Sequence, residues 1–267
     1  MPNAWTTTTL SVIADALQAF TELRGKRWLC RGHAKCYDRS TPSIDRDTLR
    51  NLSRADKLAL ERRSIDLFRS TARFFADGEQ SAMEDDVVAL MVLRHYGVPS
   101  RILDWSLSPW VAAYFAVQDN DAEDGEIWTF DEPLYEKEGL KQWERWPETT
   151  TDGSGNPLKW EGPSLTAFTL EEPPNWFICA FYQRGFHRQN AQQSAYSITA
   201  RFGRDHADAI AELLGDPNRH HRYVIAAELK PKLRTILRES HDLWRGSLFP
   251  DSAGAADTAK TVFLRGV

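Results

Sequence analysis

Cysteine is scarce in this chain of 267 residues: Cys30, Cys36 and Cys179 are the whole supply, and no CxxC pair occurs. Three unevenly spaced thiols cannot build a disulfide framework, so a reducing, cytoplasmic compartment is expected. Long apolar runs are missing too. The longest, Trp110 to Val117, is far short of a bilayer span, and Met1 to Thr9 lacks the basic and apolar pattern of a signal peptide, which argues against a membrane partner. The formal charge of −5, from 33 basic and 38 acidic residues, excludes a broad field that would gather nucleic acid. No Walker loop, dinucleotide-binding glycine fingerprint, GxSxG elbow or HExxH helix is present, and the adjacent His220 and His221 are poorly placed to share one ion, so no metal is expected. Lysine is also rare, nine against 24 arginines, a bias toward planar multi-donor contacts with carboxylate or phosphate.

What is present alternates helical and strand-like patterns. Leu10, Ile13, Leu17 and Phe20 predict a helix over 10–20, and Arg27 to Cys30 a short strand, with Gly32 allowing a turn beside Arg31. Ile65, Phe68, Ala72 and Phe75 mark a long helix over 58–75, ended by Asp77-Gly78. Val87, Leu90, Met91 and Arg94 continue a helical period until Gly97 and Pro99 stop it, and Ser108-Pro109 reads as a cap followed by proline at the first helical position. Strands are expected at 125–130, 195–200 and 223–229, and helices at 206–214, closed by Gly215, and at 231–240. Residues 131–175 lack a sustained period and carry Trp143, Trp146 and Trp160, which suggests a folded insertion inside one domain spanning 1–267.

The densest chemistry lies between Arg94 and Trp110. His95, Tyr96, Arg101, Asp104, Ser106 and Ser108 supply an imidazole, a phenol, a cation, a carboxylate and two hydroxyls around a tight turn. Such residues either line a site or satisfy the buried amides of the turn itself. An internal Arg101–Asp104 pair would lock the loop and Ser108 would cap the helix, leaving Ser106 and Tyr96 as the freer candidates. Arg31, at the end of the first strand, could grip a phosphate or a ribose hydroxyl, or form an ordinary surface ion pair. Gln189, Asn190, Gln192 and Gln193 place neutral amides just before a strand.

These blocks resemble the FRG-domain family, whose aromatic-Arg-Gly motif takes the form Trp28-Leu29-Cys30-Arg31-Gly32-His33 here, with cysteine at the aromatic position. The likeness continues through His95 to Pro109 and Ala112 to Ala116, and then through Gln192-Gln193-Ser194-Ala195-Tyr196 and Ser247 to Asp251, about residues 23–255 in all. In their order the blocks also resemble the three-part pattern of ADP-ribosyltransferases. That resemblance implies an α+β fold, a mixed or split β-sheet core with flanking helices, ADP-ribosyltransferase-like, and NAD as co-substrate. It would set Arg31 on the diphosphate or a nicotinamide ribose hydroxyl, Ser106 near that ribose, Tyr96 or Tyr114 against the nicotinamide, and Gln193 in the third-motif place. His95, Arg101 and Asp104 complete the implied catalytic and cofactor-binding set.

An amide orients a hydroxyl but is no general base, so transfer to a guanidine or nucleobase nitrogen, or activation by His95 or Asp104, fits better than hydrolysis. The implied function is NAD-dependent ADP-ribosyl transfer to a protein or nucleic-acid acceptor, as a toxin or phage-defence effector with a cognate inhibitor. The alternative is a non-catalytic domain that recognises a nucleotide, a nucleic acid or a protein.

Overall fold

The structure is a computed structural model that describes residues 5–72, 80–135, 137–138, 173, 177–180 and 186–251. Seven strands form one mixed sheet: β1 (Thr6–Leu10), β2 (Leu29–His33), β3 (Ile102–Ser106), β4 (Gly125–Phe130), β5 (Phe177–Ala180), β6 (Ser194–Thr199) and β7 (His220–Ile225), in the order β1-β7-β4-β2-β3-β6-β5. β1 runs parallel to β7 and every other pair is antiparallel.

The middle of the sheet nearly comes apart. β2 pairs with β4 along its whole length, Leu29 to His33 against Phe130 to Glu126, yet meets β3 only at Cys30–Ser106. Beyond that pair the two strands diverge and leave a crevice between two half-sheets.

Helices cover both faces; residues paired directly across strands point to the same side, and the side alternates along each strand. Cys30, Ile127, Tyr223 and Ile225 meet α1 (Ile13–Lys26), α5 (Pro109–Val117) and α8 (Lys230–His241) in one apolar cluster. Ile102, Tyr196 and Ile198 meet α2 (Arg54–Ala72), α3 (Gln80–Glu84) and α4 (Asp86–His95) in a second. Leu29, Trp105, Trp128 and Phe130, which point the other way, pack with α7 (His206–Leu214). The crevice therefore opens where the α4 group and the α5 group part.

Local chemistry sets the ends of both helices. Asp85 caps α4 by accepting from the Val87 and Val88 amides, and the helix stops at Gly97, whose φ of +86° suits glycine. There the Val98 amide donates to Leu93 O and the Gly97 amide to Arg94 O, a Schellman ending that leaves Arg94 and His95 on the last turn, over the crevice. Ser108 accepts from the Val111 amide and Pro109 opens α5, as the sequence predicts.

Gly32 does something other than the turn expected of it. It lies inside β2 with ordinary extended backbone, and a Cβ there would stand 1.8 Å from Ala112 O. Gly125 of β4 is pressed likewise, its Cβ position 2.2 Å from Ala116 O. Helix α5 thus lies on the sheet at backbone distance, where no other residue fits.

The predicted elements at 125–130, 206–214 and 231–240 agree with β4, α7 and α8 to within a residue, while the strand expected at 223–229 is displaced toward the amino end. The predicted Asp77-Gly78 stop, and most of the tryptophan-rich insertion at 131–175, fall outside the described residues. No helix among the described residues is long and apolar enough to cross a membrane.

Candidate functional site

The crevice holds a cavity of about 240 Å³. β2 contributes Cys30, Arg31 and Gly32 to its walls, the end of α4 contributes Arg94 and His95, and β3 contributes Asp104, Trp105 and Ser106. Val111, Ala112 and Phe115 of α5 and Phe249 of the carboxyl-terminal segment give it an apolar side. Gln192, which ends α6 (His187–Gln192), and Ser194, which starts β6, complete it.

Arg31 bridges the parted strands. Its Nε donates to His33 Nε2 at 2.9 Å and its Nη1 donates to Asp104 O, across the gap that the sheet hydrogen bonds leave. Among the described residues its Nη2 has no hydrogen-bond partner. The Asp104 carboxylate lies 3.0 Å from Arg94 Nε, 3.8 Å from Arg31 Nη1 and 3.8 Å from His95 Nε2, which in turn is 2.8 Å from the Tyr196 hydroxyl. Burial alone would raise the Asp104 carboxyl, but the Arg94 and Arg31 guanidinium groups outweigh it and hold it below the usual carboxylate range. Burial, helped by neighbouring Arg94, lowers the Arg31 guanidinium to about 10, still fully protonated at neutral pH. With His95 held neutral, two guanidinium groups face one carboxylate, a net single positive charge in a partly desolvated hollow. Both Nη atoms of Arg94 and Nη2 of Arg31 remain available to an anion.

Cys30 is no nucleophile, because burial pushes its thiol up to about 12. Nor does the structure bring every predicted residue to the cavity; Arg31, His95, Asp104 and Ser106 converge on it and four others do not. Arg101 is wholly buried elsewhere, donating from Nε to Glu61 Oε1 at 2.9 Å and stacking 4.1 Å over Phe202, so the predicted Arg101–Asp104 pair gives way to Arg101–Glu61. Tyr96 is 45% exposed beneath the Arg188 guanidinium, and Tyr114 packs edge-on to Phe115 without lining the cavity. Gln193 takes the left-handed conformation, φ 48°, and its side chain is exposed, so the amide at the cavity is Gln192. Ser106, expected to be free, is engaged: its hydroxyl donates to Gln192 O at 2.8 Å and accepts from the Ser108 amide.

Arg94 was legible only as a helical position, and Phe115 and Phe249 only as apolar residues; the α4 ending could have pointed to Arg94, since it fixes which way the last turn faces. Phe249 is held by Arg188, which stacks over its ring, pairs with Asp251 and donates to His95 O.

Residues 26–125 match the family model described as the FRG domain. The chain carries an FRG domain. No curated protein and no solved structure matches the chain. The FRG domain includes Arg31, Gly32, Arg94, His95, Asp104, Ser106 and the α5 face, and so most of the cavity; Gln192, Ser194 and Phe249 come from beyond the matched residues.

Three neutral histidines make the FRG domain and its surroundings acid-sensitive. His33 must be neutral to accept from Arg31, and burial lowers its pKa to about 4 despite Glu126. Burial likewise lowers His95, and lowers His206 further, in line with the Ser197 hydroxyl, which accepts from Trp105 Nε1 and donates to His206 Nδ1. In the unfolded chain each imidazole takes its proton near the ordinary value, about 6.5. The folded state therefore binds fewer protons, so this stability is full above about pH 6.5 and falls as pH drops toward 4, His33 alone accounting for about 3 kcal/mol. Asp205, raised by burial, acts in the opposite sense. Urea midpoints should be lower at pH 5 than at pH 7; an equal or higher midpoint at pH 5 contradicts the neutral assignment.

Proposed function

We propose that the chain binds NAD in the crevice between β2 and β3 and transfers its ADP-ribosyl group to a protein or nucleic-acid acceptor. The observation that supports this most is the pair of guanidinium groups, Arg31 and Arg94, lining one cavity with N–H donors that no described residue engages. Planar multi-donor cations in a hollow of net positive charge suit a diphosphate. The Phe115 and Phe249 rings offer an apolar wall to a base or a nicotinamide.

In this reading nicotinamide leaves with the electrons of its bond to ribose C1′, and positive character grows on the sugar. Asp104, the one carboxylate among the lining residues, faces that charge. The acceptor nitrogen or oxygen bonds to C1′ and its proton passes to Asp104. Gln192, in place of Gln193, orients a ribose hydroxyl. The parted sheet is where an ADP-ribosyltransferase-like architecture would place its ligand, and a cognate inhibitor would restrain the activity in a toxin or defence effector.

A second reading, recognition of a nucleotide-bearing partner without turnover, is favoured by Ser106, whose hydroxyl already donates and accepts within the protein. One experiment separates the two. Purified protein is incubated with NAD and fractionated lysate while nicotinamide and label transfer are followed. Release that Asp104→Asn reduces by about a hundredfold, roughly the share of a positioned charged group, is expected. Binding of NAD without any release in any fraction overturns transfer and leaves recognition.

A further inference from the structure

Arg31 is gripped by a device that lies outside the cavity. In register, His33 of β2 faces Glu126 of β4, and Arg31 faces Trp128, which faces Arg222 of β7. All point to one side of the sheet, so three strands bring their polar ends together. Glu126 is completely buried; its Oε1 lies 2.9 Å from His33 Nδ1 and accepts from the Tyr37 amide, while its Oε2 accepts from Arg222 Nε at 2.7 Å and Nη2 at 2.6 Å. Arg222 in turn stacks 5.1 Å over the Trp128 ring.

The hydrogen bonds fix the imidazole's proton. Arg31 Nε can only donate, so His33 Nε2 must accept, and the ring N–H must sit on Nδ1 and donate to Glu126. A carboxylate thereby selects the tautomer that presents a lone pair to the arginine. With Nε on His33 and Nη1 on Asp104 O, the guanidinium plane is held at two edges and the third, Nη2, is left for a ligand. An arginine otherwise loses rotamer entropy on being ordered by a ligand, and this arrangement removes much of that cost before the ligand arrives.

We propose that His33 and Glu126 are positioning residues, a relay from Arg222 through Glu126 and His33 that preorganises Arg31 for the anionic part of its ligand. The ligand side of this inference rests on the reading of the crevice given above; the ordering of Arg31 does not.

The test uses nitrogen-15-labelled full-length protein. Without ligand, nuclear magnetic resonance should show His33 neutral with its proton on Nδ1, and the Arg31 Nε–H protected from exchange. His33→Phe should keep the cooperative thermal transition, lose that protection, and bind inorganic pyrophosphate and NAD about tenfold more weakly, the scale of one charge-assisted hydrogen bond. His33→Gln, whose amide can donate toward Glu126 and accept from Arg31, should restore both readouts, which a loss of packing alone would not predict. An Nε2–H tautomer in the wild type, or a His33→Phe variant with Arg31 still protected and both affinities unchanged, overturns the relay. If His33→Phe fails to fold, the wild-type tautomer decides. Protection lost in His33→Phe and regained in His33→Gln, with neither probe bound by the wild type, upholds the positioning of Arg31 and overturns the NAD reading instead.

Discussion

Gly32→Ala unfolds this protein or costs it more than about 3 kcal/mol, beyond the usual range for an overpacked site. The added methyl would stand 1.8 Å from Ala112 O, 2.8 Å from Ala112 C and 3.0 Å from Ala116 N. These are backbone atoms of α5, so no side chain can swing aside; the helix itself must lift from β2. That helix also carries Val111, Ala112 and Phe115 to the cavity wall, so any folded variant should bind ligand poorly as well. Urea denaturation of Gly32→Ala beside Gly25→Ala, where an added Cβ meets nothing within 4 Å, measures the effect. A midpoint shift no larger for Gly32→Ala than for Gly25→Ala contradicts the packing described.

Glu61→Ala is expected to cost about 3–5 kcal/mol, the scale for removing one member of a buried ion pair. Arg101 is fully buried and Glu61 nearly so, and the guanidinium meets the carboxylate through Nε and Nη2 with Phe202 beneath it. Without Glu61 the cation loses the carboxylate it meets here and cannot reach water. The double variant Glu61→Leu with Arg101→Met should recover most of the loss, because an apolar pair of similar volume carries no desolvation penalty. Ligand affinity should not change in that double variant, since Arg101 lies away from the cavity. Urea midpoints for the single and double variants, with ligand titrations on the double, test both statements. A loss below about 1 kcal/mol for Glu61→Ala would place the pair in the solvent-exposed range instead.

Much of the chain's local structure was legible because its signals are local. Ser108-Pro109 at the start of α5, Gly97 at the end of α4 and Gly215 after α7 each meet a backbone requirement within a few residues. Side-chain pairing was not legible where partners lie far apart. Arg101 finds Glu61, 40 positions away, and the Asp104 carboxylate lies against Arg94 and Arg31, and nothing in their spacing chooses between those partners and the nearer Arg101–Asp104 pair. Gln192 and Gln193 differ by one residue in sequence, but the left-handed backbone at 193 sends them to opposite destinations, one lining the cavity and one exposed. Gly32 misled for a similar reason: a glycine in a sequence suggests a turn, and only the approach of α5 reveals that it serves as a flat contact in a strand.

In our proposal the gap between β2 and β3 is a ligand site whose anion donors are Arg31 and Arg94. Calorimetric titration of ADP-ribose into the wild type, Arg94→Ala and the Glu61→Leu/Arg101→Met double variant tests it most directly. Saturable binding by the wild type and the double variant is expected, with a loss of about tenfold to a hundredfold in Arg94→Ala, as removal of one charged donor group implies. Equal affinity in Arg94→Ala and the wild type, or no binding at all by the wild type, would contradict it.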